Sequence, residues 1–144
     1  MPSSPSAGLR LGRSSVASSL LDASALLALI QSEPGAEVVF SALSDGAAMS
    51  AVNVEEVAAR LTHEGWSQPA VAYSLATLGV DILPFDSDMA LRSGALRPAT
   101  AAAGLGLGDR ACLATATAHG LPALTADRAW LKLNLPGVEI RPIR

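Results

Sequence analysis

Aromatic residues make up only 3% of the chain and charged residues 16%, and there is a single cysteine, Cys112. One sulfur supports neither a disulfide framework nor a multi-cysteine zinc site, since each needs several. A reducing, cytoplasmic setting is the expectation. Long apolar runs are missing as well. Half of the residues are hydrophobic, but Ala, Leu and Val come in stretches far shorter than the ~20 residues of a membrane helix and are broken by charges and proline, so no membrane span is expected. Lysine is nearly absent: nine of the ten cations are Arg, with Lys132 the exception. The planar fork of Arg suits bidentate contact with phosphate or carboxylate, although a high-GC coding bias gives the same excess. Ten basic against thirteen acidic residues leave a formal charge of −3. On its face that argues against nucleic acid, whose protein footprint is normally basic.

What is present is enough for one domain. A folded chain of 144 residues buries roughly 68–70% of the surface that its unfolded form exposes. Residues 1–17, rich in Ser, Pro, Gly and Arg, read as a flexible leader without the apolar core of a secretory signal. The domain proper is expected over 18–144. There, short apolar runs predict strands over 18–22, 47–50, 80–85, 121–125 and 138–141. Helical patterns fall over 24–31, 36–45, 54–64, 68–78, 87–97, 109–119 and 128–133, with a further helical piece towards residue 103. Pro34, Gly46, Gly65, Gly79, Pro98 and Gly120 supply the stops. Short strands separated by helices mean βαβ units and a parallel or mainly parallel sheet. In such sheets ligands bind beyond the carboxyl ends of the strands, where the strand order reverses.

Several acids fall at that edge. Asp22 closes the first strand, Glu55 and Glu56 lie in the first turn of the helix after the second, Asp86 follows the third, and Asp127 comes two residues after the fourth. Asp109 opens a helix after the glycine-rich stretch 104–108, which reads as a flexible lead-in. Each has a local explanation: Asp is a favoured N-cap, Asn53 followed by Glu56 is a variant capping box, and Glu55 suits a helix start. As a set they are harder to explain locally. Like charges at 4 Å repel by about 4 kcal/mol at an effective dielectric near 20. Raised pKa values or a hard divalent cation with oxygen ligands would offset that. Carboxylates around an open, watered cation are the equipment for phosphodiester hydrolysis.

The blocks Leu20-Leu21-Asp22-Ala23-Ser24-Ala25-Leu26-Leu27-Ala28, Ser50-Ala51-Val52-Asn53-Val54-Glu55-Glu56-Val57, Leu107-Gly108-Asp109-Arg110-Ala111-Cys112-Leu113-Ala114 and Leu124-Thr125-Ala126-Asp127-Arg128-Ala129-Trp130 carry a resemblance. In this order they resemble the signature blocks of PIN-domain proteins, above all VapC-type toxins of bacterial toxin-antitoxin modules, across nearly the whole chain after the leader. The resemblance implies a three-layer α/β/α sandwich around a five-stranded, mainly parallel sheet, and a Mg²⁺- or Mn²⁺-dependent ribonuclease. It implies that Asp22, Glu56, Asp109 and Asp127 are the catalytic metal ligands, supported by Ser24, Asn53 and Thr125. It also implies hydrolysis of RNA to a 5′-phosphate and a 3′-hydroxyl, a homodimer, and inhibition by a small antitoxin protein. Arg110 and Arg128, each directly after a site acid, are candidate phosphate contacts, although pairing with their own helices is the simpler fate of both.

Other readings fit less well. A serine hydrolase would need Ser24 with His63 or His119, but no Gly-x-Ser-x-Gly elbow is present and both histidines fall near helix C-termini. A haloacid-dehalogenase-like phosphotransferase expects a second Asp where Ser24 stands, and a later Lys, whereas only Lys132 exists. The stretch 104–108 fits neither G-x-G-x-x-G nor the Walker pattern. Cys112 reads as a buried packing residue, and Trp66 and Trp130 as core or interface residues. A catalytically weak PIN-like binding module is the non-enzymatic alternative, and the complete acid set favours the enzyme. Assigning four acids to one site also recasts the charge. Without them, the formal −3 becomes one positive charge in excess on the rest of the chain, which permits RNA binding.

Overall fold

The computed structural model describes residues 17–144, so the leader expected over 1–17 lies, but for Ala17, outside the described residues. Five strands, β1 (Ser19–Leu21), β2 (Ala47–Ser50), β3 (Asp81–Leu83), β4 (Ala123–Thr125) and β5 (Ile140–Pro142), form one sheet in the order β3-β2-β1-β4-β5. Every pairing is parallel. The helices are α1 (Ala23–Ile30), α2 (Ala36–Asp45), α3 (Ala51–His63), α4 (Gln68–Leu78), α5 (Ser87–Ala95), α6 (Arg97–Thr100) and α7 (Leu107–His119). Short 3-10 segments cover Ala101–Ala103 and Arg128–Lys132. No helix among the described residues is long and apolar enough to cross a membrane.

The central strands β1, β2 and β4 are buried along their whole length, and their alternation divides the core between two helical layers. Leu21, Ala47, Met49 and Leu124 point into the cluster formed with Leu26, Val39, Val57 and Leu61 of α1, α2 and α3. Leu20, Ala48 and Ala123 point the other way, onto Cys112, Leu113 and Ala116 of α7 and onto Trp130. The small side chains of Ala48 and Ala123 leave room for α7 and for the fully buried Trp130 indole.

Departures from the expected elements trace mostly to proline and capping. The strand expected over 80–85 ends at Leu83, because Pro84 has no N–H to continue the ladder. The helix expected over 87–97 breaks at Leu96, and α6 restarts with Pro98 inside its first turn, where a proline ring is tolerated. The last strand is displaced to Ile140–Pro142 and pairs only with β4; at a sheet edge a terminal proline costs little. The stretch 128–133 forms a 3-10 turn rather than an α-helix. The helix expected over 54–64 starts at Ala51, directly after β2, with Ser50 as its N-cap. Strand order reverses between β1 and β4, which places the carboxyl ends of those two strands at the crevice of the fold.

Candidate functional site

Asp22 follows β1 and is only 3% exposed. Its Oδ1 accepts the Ala25 backbone N–H at 2.8 Å and the Ser24 hydroxyl at 2.7 Å, and its Oδ2 accepts the Thr125 hydroxyl at 2.5 Å. The cap and the site position are therefore one residue in two roles. The two hydroxyls also tie β1 to β4: Ser24 Oγ accepts the Ala126 N–H at 2.9 Å and Thr125 Oγ1 accepts the Asp127 N–H at 3.0 Å. Each hydroxyl proton goes to Asp22, and each oxygen receives a backbone proton from the segment leading to Asp127. Asp127 in turn caps the 3-10 segment, its Oδ1 accepting from Ala129 N at 2.9 Å.

Glu56 and Asp109 are brought in by the meeting of α3 and α7. With Ser50 as the cap of α3, Asn53 lies inside the helix, and Glu55 and Glu56 stand beyond its first turn. The capping-box reading of Asn53 is thus corrected. Its buried amide Nδ2 donates to Glu56 Oε1 at 2.8 Å and to the Gly108 carbonyl at 3.0 Å, joining the two helices. The stretch 104–108 is likewise more than a lead-in. Gly106 caps α7, the helix begins at Leu107, and Asp109 Oδ2 reaches back to the Gly106 N–H at 2.9 Å. Gly108 packs directly on Glu56, and any Cβ there would overlap the Glu56 carboxylate. In the sequence, Gly108 stands in the third motif block immediately before Asp109, and nothing local reveals its contact with Glu56.

Asp22, Glu56, Asp109 and Asp127 all line one cavity of about 420 Å³. Burial pushes the Asp22 carboxyl up to about 6 against the pull of its Thr125, Ser24 and Ala25 donors, and the Asp109 charge adds to the rise. Burial raises Glu56 too, opposed by the Asn53 hydrogen bond and reinforced by Asp109 and Glu55. Asp109 is raised by burial, held back by the Gly106 N–H and pushed further by Asp127. The Trp130 indole N–H, buried without a hydrogen-bond partner, stands close enough to Asp109 to offset part of that rise. The acids thus feel one another across the cavity.

The donor set is oxygen only. Among the described residues no three His, Cys, Asp or Glu side chains stand close enough together to hold a metal ion as they are placed. Mutually repelling carboxylates around an open space fit a hard divalent cation that keeps part of its water shell, as Mg²⁺ does. Asp22, Glu56, Asp109 and Asp127 are the residues that would hold it.

The candidate phosphate contacts lie elsewhere. Arg110 Nη1 donates to the Leu105 carbonyl at 3.4 Å, Arg128 Nη1 donates to the Arg144 carbonyl at 2.8 Å, and neither lines the cavity. Arg60 and Arg144 line it instead. Cys112 is fully buried and its thiol is pushed well up by burial, which makes it a packing residue. His63 and His119 end α3 and α7, away from the cavity.

The family model described as PIN domain matches residues 19–134. Comparison with curated proteins gives no match. Among solved structures, the chain is similar to one in a toxin-antitoxin complex from Klebsiella pneumoniae, at 26% identity and a TM-score of 0.65, over 88% of this chain and 98% of that one. A chain of DNA-bound VapBC from Salmonella typhimurium shares the fold at 19% identity and a TM-score of 0.63, over 90% and 100% of the two chains. So does one of VapBC-5, a member of the VapBC family of toxin-antitoxin systems, from Mycobacterium tuberculosis, at 24% identity and a TM-score of 0.52, over 88% and 97%. With its five-stranded parallel sheet, its acids at the β1/β4 crevice and a family match over most of its length, the chain belongs to the PIN domain family.

Proposed function

We propose that the chain is a Mg²⁺- or Mn²⁺-dependent ribonuclease that acts as the toxin of a type II toxin-antitoxin pair. The observation that carries this reading is that Asp22, Glu56, Asp109 and Asp127, contributed by four separate segments, line one cavity, where burial and the Asp109 charge raise Asp22 and Glu56 and burial and the Asp127 charge raise Asp109. Such a cation supplies Lewis acidity to a phosphodiester and lowers the pKa of a bound water. The chain's own residues prepare the place. Ser24, Thr125 and the Ala25 N–H fix both Asp22 oxygens, Asn53 aims Glu56, and the Gly106 N–H orients Asp109. Asp127, at the solvent side, completes the set or orients a water. No serine or cysteine nucleophile is needed: Ser24 spends its proton on Asp22 and Cys112 is buried.

An antitoxin partner is part of the same reading, supported by the likeness to a chain of the Klebsiella toxin-antitoxin complex, and so is a homodimer. The test is cleavage of RNA by the purified chain free of any antitoxin. Mg²⁺ or Mn²⁺ should support cleavage to 5′-phosphate and 3′-hydroxyl ends, and chelation or Asp22→Asn should abolish it. Activity that persists without metal and in the Asn variant would sink the reading.

A further inference from the structure

We infer that Arg60 and Arg144 grip backbone phosphates of the RNA strand next to the linkage that the four carboxylates face. This rests on the ribonuclease reading and adds to it the residues that seat the strand. A cavity walled by carboxylates repels a polyanion unless cations stand at its rim, and among the described residues the two cations lining it are Arg60 and Arg144.

Arg60 is four residues after Glu56 on α3, so it stands on the same helix face with its Cβ about 5–6 Å further along. That is comparable with the step from one phosphate to the next along a single strand. Its Nε donates to Glu64 Oε2 at 2.7 Å, and Glu64 is held in turn by Gln31 Nε2 at 2.8 and 3.0 Å. This leaves the terminal amino groups of Arg60 unpaired among the described residues, on a side chain that is 52% exposed. Arg144 comes from the other end of the sequence. Its Nη1 donates to the Pro34 carbonyl at 2.9 Å and to Glu33 Oε1 at 3.3 Å, while its own carbonyl accepts from Arg128. Arg128 thereby holds the backbone that carries Arg144. Exposed ion pairs of this kind bind weakly and exchange readily, whereas they set the direction of a fork whose free N–H groups match phosphate oxygens.

The test is the salt dependence of binding of a labelled single-stranded RNA oligonucleotide in the presence of Mg²⁺. It is measured in the Asp22→Asn background so that the probe is not consumed. Arg60→Gln and Arg144→Gln should each weaken binding about 5- to 10-fold at low salt and flatten the log Kd against log salt slope by about 0.7, the value for one phosphate contact on a single strand. Arg92→Gln, which loses a similar exposed pair with Asp88 on α5, should change neither. Unchanged affinity and slope in both cavity variants, with melting temperatures at the parent value, would overturn the proposal and leave the two arginines as contacts for an acidic protein segment. The two readings fail separately. A chain that binds RNA through these arginines without cleaving it refutes the ribonuclease and keeps the grip; cleavage with an unaltered slope does the reverse.

Discussion

Asp22 is a helix cap, a strand-to-strand tie and a proposed ligand at once, and these roles pull its protonation in opposite directions. Burial raises its carboxyl to about 6 from an ordinary 3.8, so in the metal-free protein ionisation of this group opposes folding. Its contribution is fully present below about pH 4 and is lost as pH rises through about 6. The difference between the two values corresponds to a penalty on the order of 3 kcal/mol at neutral pH. Asn retains the capping acceptor and removes the charge. In the presence of a chelator, Asp22→Asn should therefore gain stability over the native chain between pH 4 and pH 7 in urea unfolding, and the gain should shrink when Mn²⁺ is added. A constant difference across that range would place the Asp22 charge outside the folding equilibrium. Gly108 gives a second test. Ala there must displace the Glu56 carboxylate, so Gly108→Ala should cost about 1–3 kcal/mol of stability and weaken Mn²⁺ binding at least tenfold. Calorimetry would read the binding, and a fully retained affinity would show that Glu56 does not need its observed position.

At the scale of elements, most of the fold was legible because punctuation agrees with pattern. Gly46, Gly79 and Gly120 close α2, α4 and α7 where expected, and the short apolar runs of β1, β2 and β4 are buried throughout. What was not legible depends on contacts between distant segments. The expected helix begins three residues late, at Val54, because nothing local reveals that Ser50 caps α3 with no connecting residues. The amide of Asn53 finds its second acceptor, the Gly108 carbonyl, 55 residues away. The motif blocks drew attention to all four acids, and local structure puts Asp22, Asp109 and Asp127 at helix starts, whereas Arg60 and Arg144 reach the cavity only through the packing of α3 and the segment after β5. The α1–α2 connection offers a test at this scale. The Ser32 N–H bonds to Leu29 O at 3.2 Å and the Glu33 N–H to Ala28 O at 2.8 Å, the two bonds of a Schellman motif. Ser32 itself has φ 54°, a conformation that favours glycine. Ser32→Gly should stabilise the chain by up to about 1 kcal/mol after the added freedom of the unfolded chain is counted. A loss of stability in urea unfolding would mean that the serine side chain contributes more than its backbone strain costs.

Across the whole molecule, a two-sided core holds a sheet whose order reverses between β1 and β4, and the acids gather at the carboxyl ends of those strands. The net −3 of the chain is uneven rather than uniformly acidic: four carboxylates share one cavity, and arginines stand at its rim. On the proposed reading, metal binding is coupled to folding. A ligand that binds only the native state stabilises it in proportion to the logarithm of its concentration, so thermal unfolding should shift upward with added Mn²⁺ at pH 7.5. The shift should be smaller at pH 5.5, where Asp22 is largely protonated.

The most direct measurement is a Mn²⁺ titration at pH 7.5, followed by calorimetry or by the loss of the free-ion paramagnetic resonance signal. It compares the native chain with Asp22→Asn, Glu56→Gln, Asp109→Asn and Asp127→Asn. The native chain should bind one or two ions, and each variant should bind them tenfold or more weakly, with the largest loss for the buried Asp22. Binding that is absent from the native chain, or unaltered in all four variants, would contradict the four-carboxylate metal site.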